Sequence, residues 1–178
     1  MRIVSVILIS FYLQLNTVFA QARWKSESFA ITFSIKNAGI NVSGKLSGFQ
    51  SEFNFYPEQL ASSNILASID VNTINTGIDL RDKHLKKEEY FDAAKYPKIE
   101  MSSVAFEKLA EGYFKGKFKL TIKKTSKEVV IPFYYTENKN TAQVKGTFAI
   151  NRRDFEVGGS SWTMSDNVSI SILVNASK

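Results

Sequence analysis

Apolar and polar residues alternate along most of the chain beyond its first twenty positions. In one such stretch Phe29, Ile31 and Phe33 alternate with Ala30 and Thr32. A period of two is typical of a β-strand with one buried face, because successive side chains point to opposite sides of the strand. The same period recurs at 53–55, 65–71, 114–122, 129–135, 144–150 and 168–174.

The number and spacing of these stretches predict an all-β fold. Residues 39–48 and 99–106 add candidate strands, and turn-forming sequences such as the Glu-Gly pair at 111–112 separate the stretches. Many short strands at even spacing are found in sandwiches and in up-and-down barrels. The pattern therefore predicts a sandwich or an antiparallel barrel of about eight strands.

One segment departs from the alternation and predicts a helix around residues 77–92. Thr76 can cap its first turn, and Asp79 lies where the helix dipole favours a negative charge. Asp79 and Lys83 also form an acid–base pair four residues apart, which stabilises a helix. The segment ends before Pro97, because the residue preceding a proline is pushed away from helical geometry.

The buried face of the predicted strands is almost uniformly apolar and rich in phenylalanine. A barrel of about eight strands is either filled by its own side chains or hollow enough for one small ligand, and the pattern allows both. In a hollow barrel this face would line an apolar cavity, which suits the tail of an amphiphile. The residues predicted to line it are Phe29, Ile31, Phe33, Phe114, Phe118, Leu120, Val129, Ile131, Phe133, Ile170, Ile172 and Val174.

The first twenty residues differ from the rest and predict a signal peptide. Arg2 is their only charge, residues 3–15 are mostly apolar, and Val18 and Ala20 provide small residues for cleavage after Ala20. We therefore expect export of a single mature domain, residues 21–178.

Composition and charge exclude several classes of protein. The chain has no cysteine, which removes disulfides and thiolate metal sites. Its net charge of +6 is mild, and basic residues such as Arg152 and Arg153 are interpreted as solvated edges or turns. Since no basic stripe is present, we expect no nucleic-acid partner and only transient contact with anionic membrane surfaces. The oligomeric state is left open.

Residues able to carry out catalysis are scarce. His84 is the only histidine, no Gly-x-Ser-x-Gly sequence is present, and no glycine-rich phosphate loop is found. Because the chain has a single histidine and no cysteine, the sequence also argues against a zinc site. The sequence predicts no catalytic residues, no metal, no cofactor and no enzymatic activity.

Several motifs closely resemble the YceI-like family of bacterial exported proteins. The helical region carries Arg-Asp-Lys-His-Leu at 81–85, Tyr-Phe-Asp at 90–92 and Tyr-Pro-Lys-Ile at 96–99. The resemblance continues, in the family's order, at 69–76, 120–122, 127–129, 150–155 and 165–170.

The resemblance implies an extended, lipocalin-like antiparallel barrel. It also implies that the protein is periplasmic or secreted. It implies an exported binding or carrier protein whose partner is a long-chain amphiphile: a polyisoprenoid, an isoprenoid quinone or a fatty lipid. Two alternatives stay open, an enzyme acting on a lipid-like substrate and a stress-response interaction module with a solid core.

Arg81, Asp82, His84 and Leu85 match the family's helical motif. A polar cluster beside a barrel mouth must satisfy its hydrogen bonds. We therefore expect these residues to be structural and to pin the helix to the barrel.

The sequence departs from the family's pattern at two turns. The family usually has glycine after Leu-Thr-Ile, where this chain has Lys123 and Lys124. It also usually has glycine after Asp-Phe, where this chain has Glu156. Both departures are expected to alter turns, and the second to reshape a barrel rim.

Overall fold

Nine strands form one antiparallel sheet in the structure, a computed structural model that describes residues 24–178. The predicted signal peptide lies outside the described residues. The strand order across the sheet is β2-β1-β9-β8-β7-β6-β5-β4-β3. The strands are β1 (Lys25–Asn37), β2 (Ile40–Leu46), β3 (Gln50–Asn54), β4 (Asn64–Asp70), β5 (Lys98–Ala110), β6 (Tyr113–Ile122), β7 (Thr125–Glu137), β8 (Thr141–Asn151) and β9 (Met164–Ser177).

The sheet curls into a half-barrel, and short contacts join its edges. Trp24 and Phe53 form an isolated bridge that links the start of β1 to β3. A second bridge joins Lys45 of β2 to Asn75, with backbone N–O distances of 2.9 and 3.0 Å. The predicted antiparallel barrel is confirmed, with nine strands where the pattern predicted about eight.

The helical region lies at one end of the barrel, here called the upper end. Helix α1 covers Asp79–Leu85 and is shorter than the predicted segment. Residues 86–97 form successive turns, and Asp92 adopts a left-handed backbone with φ 49°. Short 3-10 segments cover Leu60–Ser62, Val71–Thr73 and Arg152–Phe155. Within residues 24–178 no helix has the length and apolar character needed to cross a membrane.

Aromatic side chains fill the lower half of the barrel, the end where β1 begins and β9 ends. The Phe55 ring is only 1% exposed and packs edge-on against Phe106, Phe114, Phe133 and Tyr135, with centroids 4.8 to 5.4 Å apart. Aromatic rings favour such edge-to-face contacts. This half of the barrel is therefore solid.

Candidate functional site

A cavity of about 370 Å³ occupies the upper half of the barrel. This volume lies within the range of about 300–1,000 Å³ that ligand pockets occupy. Its wall is formed mainly by aliphatic side chains on the inner faces of the strands. The strand residues of this wall are Ile31, Phe33, Ile35, Asn37, Val42, Leu46, Ala67, Ser68, Ile69, Ile99, Met101, Leu120, Ile122, Phe148, Ile150, Met164, Val168, Ile170 and Ile172.

Five of the residues predicted to line a cavity border it in the structure. They are Ile31, Phe33, Leu120, Ile170 and Ile172. On β9, Ile170 pairs with Phe33 on one side and Phe148 on the other, so these three side chains lie at one level of the cavity wall.

The structure places the other seven predicted residues outside the cavity. Phe114, Phe118, Ile131 and Phe133 belong to the solid aromatic half, against which Val129 packs. Two more residues lie below the cavity: Phe29, which packs on Phe49 with ring centroids 5.2 Å apart, and the buried Val174. Alternation identifies the inner face of a strand but not the height at which large rings close the barrel.

The sequence prediction missed the residues that cover the cavity from above. Tyr90 and Phe91, in the turns after α1, border it together with Leu85. Val157, from the loop after β8, completes this cover and packs in a cluster with Leu120. Leu85, Tyr90 and Phe91 belong to the motifs at 81–85 and 90–92, but no periodic signal marks Val157.

The helical motif is tied to Thr76 by four hydrogen bonds. Arg81 donates from Nε to the Thr76 hydroxyl at 2.7 Å and from Nη2 to the Thr76 carbonyl at 2.8 Å. The buried Asp82 carboxylate accepts from the Thr76 backbone N–H at 2.9 Å and from its hydroxyl at 2.5 Å. These bonds fix the start of α1, and the Arg81 side chain also borders the cavity.

His84 lies at the same border, on the next turn of the helix. Its Nε2 is 3.1 Å from a carboxylate oxygen of Glu89, and its ring packs edge-on against Tyr90 with centroids 5.0 Å apart. Among residues 24–178, no three His, Asp and Glu side chains are grouped closely enough to hold a metal ion.

Arg152 is buried and holds the loop after β8 in place. Its Nε donates to the Ser165 carbonyl at 3.0 Å, and its Nη1 donates to the carbonyls of Val157 and Gly159, each at 2.9 Å. Its Nη2 forms an ion pair with Asp166 at 2.7 Å. The interpretation of Arg152 as a solvated residue is wrong, because its side chain is 4% exposed and each of its three guanidinium nitrogens bonds within the protein.

The two turns that depart from the family's pattern contact each other at the upper end. Lys123 and Glu156 both have left-handed backbones, with φ 54° and 56°, a region that favours glycine. The Lys123 ammonium donates to the carbonyls of Glu88 and Glu156, each at 3.1 Å. Lys124 adds an ion pair with Glu156 at 3.2 Å. The side chains that replace glycine thus connect the two turns above the cavity.

Comparison with known proteins places this chain in a family. The sequence matches the YceI-like domain over residues 23–176. It is 26% identical to a UPF0312 protein of Vibrio cholerae over 108 residues, which cover 60% of this chain and 57% of the relative. It is 30% identical to a UPF0312 protein of Yersinia enterocolitica over 131 residues, 72% of this chain and 65% of the relative. The chain therefore spans less than two thirds of these relatives' lengths.

Solved structures share the fold. Burkholderia cenocepacia BcnA superposes with a TM-score of 0.79 at 24% identity, covering 84% of this chain and 96% of BcnA. The Campylobacter jejuni YceI protein gives 0.71 at 26% identity, with coverages of 78% and 86%. A polyisoprenoid binding domain from Saccharophagus degradans, implicated in plant cell wall breakdown, gives 0.71 at 12% identity, with coverages of 87% and 97%. Because the family match covers nearly all of the described residues, this chain belongs to the YceI-like domain family.

Proposed function

We propose that this protein binds a long-chain apolar or amphiphilic molecule with its tail inside the barrel. The observation that carries the proposal is the apolar cavity of about 370 Å³ above the solid aromatic half. Each tail methylene moved from water into such a cavity contributes about 0.8 kcal/mol. Ten of them contribute about 8 kcal/mol, which is comparable to the cost of association.

The polar residues at the cavity border suit an amphiphile with one polar end. Asn37, Thr76, Arg81, His84 and Arg152 border the cavity, whereas the wall below them is mainly apolar. The structural likeness to a polyisoprenoid binding domain supports an isoprenoid ligand, and quinones or fatty lipids share the same apolar tail. Binding, and not catalysis, is the function that this arrangement favours.

Extraction of the native protein tests this proposal. Protein purified from its own cells without detergent is expected to release one long-chain class of molecule into organic solvent, near one molecule per chain, as measured by mass spectrometry. An Ile170→Glu variant purified in parallel is the matched control, because it places a charge in the cavity wall. If the two extracts are the same, the cavity does not hold the ligand.

We also propose that the protein acts outside the cytoplasm after removal of residues 1–20. The proposal rests on the apolar stretch that ends at Val18 and Ala20. N-terminal sequencing of protein from the cell envelope is expected to begin at or near Gln21. A chain that still begins with Met1 in that fraction would contradict this proposal.

A further inference from the structure

Four large apolar side chains are exposed at the upper end of the barrel. Trp162 is fully exposed, and Leu80, Ile40 and Ile78 are 79%, 69% and 52% exposed. We call these four residues the apolar rim. Clustered apolar side chains on a protein surface mark sites of interaction, whereas single ones are common.

Three segments carry the rim residues at the upper end of the cavity. Ile40 follows the β1–β2 turn, whose Ala38 N–H donates to the Thr163 carbonyl beside Trp162 at 2.8 Å. Ile78 and Leu80 belong to the segment that Arg81 fixes to Thr76.

The same three segments border the cavity itself. Asn37 precedes the β1–β2 turn and pairs with Met164, the first residue of β9, which lies two positions after Trp162. Asn37, Met164 and Arg81 all lie on the cavity border. Each rim residue therefore lies within three positions in sequence of a residue on the cavity border.

Free positive charges accompany the rim. Lys36 and Lys83 are exposed, and neither forms an ion pair within the part of the chain that the structure describes. In the three segments that carry the rim, the Asp82 carboxylate is bonded to Thr76 and Asp166 is paired with Arg152. Asp79 is exposed there and forms no ion pair within the described residues. At the lower end, by contrast, Lys108 and Lys178 are paired with glutamates. The charge at the upper end is thus available to an anionic partner.

We infer that the apolar rim docks on the surface of an anionic phospholipid bilayer. Tryptophan favours the level of the lipid headgroups, and aliphatic side chains beside it insert at the acyl boundary. Lysines near an anionic bilayer each contribute about 1 kcal/mol. Docking would hold the upper end of the cavity against the bilayer, in which an insoluble tail is dissolved. This last step rests on the proposed function, whereas the docking surface does not.

The two tryptophans of the chain allow a direct test. Trp24 is buried at the lower end, while Trp162 is exposed in the rim. With vesicles of phosphatidylglycerol and brominated phosphatidylcholine, we expect quenching of Trp162 fluorescence in the native protein. A Trp162→Phe variant, in which Trp24 is the only fluorophore, should show none. Quenching of Trp24 instead would overturn the proposal.

Substitutions in the rim measure its contribution. Leu80→Ser combined with Trp162→Ser should weaken vesicle binding by about tenfold or more, since two apolar contacts are lost. Leu109→Ser is the matched control, because Leu109 is 44% exposed near the lower end of β5. It should leave vesicle binding unchanged. Equal vesicle binding by the rim variant and the native protein would contradict the proposal.

Two further measurements distinguish membrane docking from ligand entry and from self-association. The rim variant should still bind cis-parinaric acid in solution, because neither residue borders the cavity. Loss of that binding with unchanged vesicle binding would overturn the docking role. If sedimentation shows a dimer that the rim variant abolishes, and vesicles do not bind, then the rim contacts a second copy of the chain and the lipid proposal fails.

Discussion

Replacing Ile170 by glutamate is expected to abolish the binding of long-chain ligands. Ile170 lies between Phe33 and Phe148 on the wall of the cavity. A carboxylate there would have apolar neighbours on both paired strands, and burial of an unpaired charge beneath an apolar tail costs several kcal/mol. Affinity for cis-parinaric acid or geranylgeraniol should fall by roughly 100-fold or more, measured by fluorescence titration or by competition.

Ser171→Glu provides the matched control for this substitution. Ser171 is the next residue of β9, is exposed, and points to the outer face of the sheet. The Ser171→Glu variant should bind both ligands with native affinity. Circular dichroism should show that the Ile170→Glu and Ser171→Glu variants both keep the native fold. If Ile170→Glu folds and binds as the native protein does, the cavity is not the binding site.

A space-filling substitution gives an independent measure of the cavity. Ile172 pairs with Ile31 and Gly146 at the level just above the solid half. Ile172→Trp would raise the floor of the cavity, so affinity for long tails should fall more than affinity for short ones. Uniform weakening over a series of tail lengths would indicate a general disturbance of the barrel instead.

The period of two predicts the strands well because it depends only on local sequence. Each of the nine stretches that the sequence predicts as a strand overlaps a strand in the structure. The division of the barrel interior into a solid half and a cavity depends, however, on residues that are far apart in sequence. Phe118 and Leu120 share one face of β6, yet Phe118 packs against Phe106 in the solid half while Leu120 borders the cavity. The aromatic residues that fill the lower half come from several strands, so no single stretch of sequence reveals where the solid half ends and the cavity begins.

The helical region shows a second limit of local patterns. Charged pairs and a possible cap favoured a longer helix, but Asp92 is left-handed and the chain turns sharply after Leu85. Tertiary contacts fix that turn: Ala93 is buried, and the Gly158 N–H donates to the Glu89 carbonyl at 2.9 Å. A Cβ on Gly158 would meet the Tyr90 ring at 2.8 Å. These contacts join segments far apart in sequence, so alternation and capping signals could not predict them.

Arg152 is the residue whose role the sequence least revealed, and its loss is expected to destabilise the protein strongly. Arg152→Leu would leave the carbonyls of Val157, Gly159 and Ser165 without this donor and Asp166 without its ion-pair partner. Leaving a buried acceptor such as the Val157 carbonyl without its partner costs about 1–3 kcal/mol, whereas Asp166 is half-exposed and regains water. We expect the free energy of unfolding, measured with urea, to fall by about that amount.

The neighbouring arginine separates this effect from a general loss of positive charge. Arg153 is exposed, and its guanidinium makes no hydrogen bond or ion pair within residues 24–178. Arg153→Leu should change the free energy of unfolding by no more than about 0.5 kcal/mol. Arg152→Lys should remain destabilised, because a single ammonium cannot replace the guanidinium fork that contacts three carbonyls and a carboxylate. If the Arg152 and Arg153 variants prove equally stable, then Arg152 does not hold the loop over the cavity.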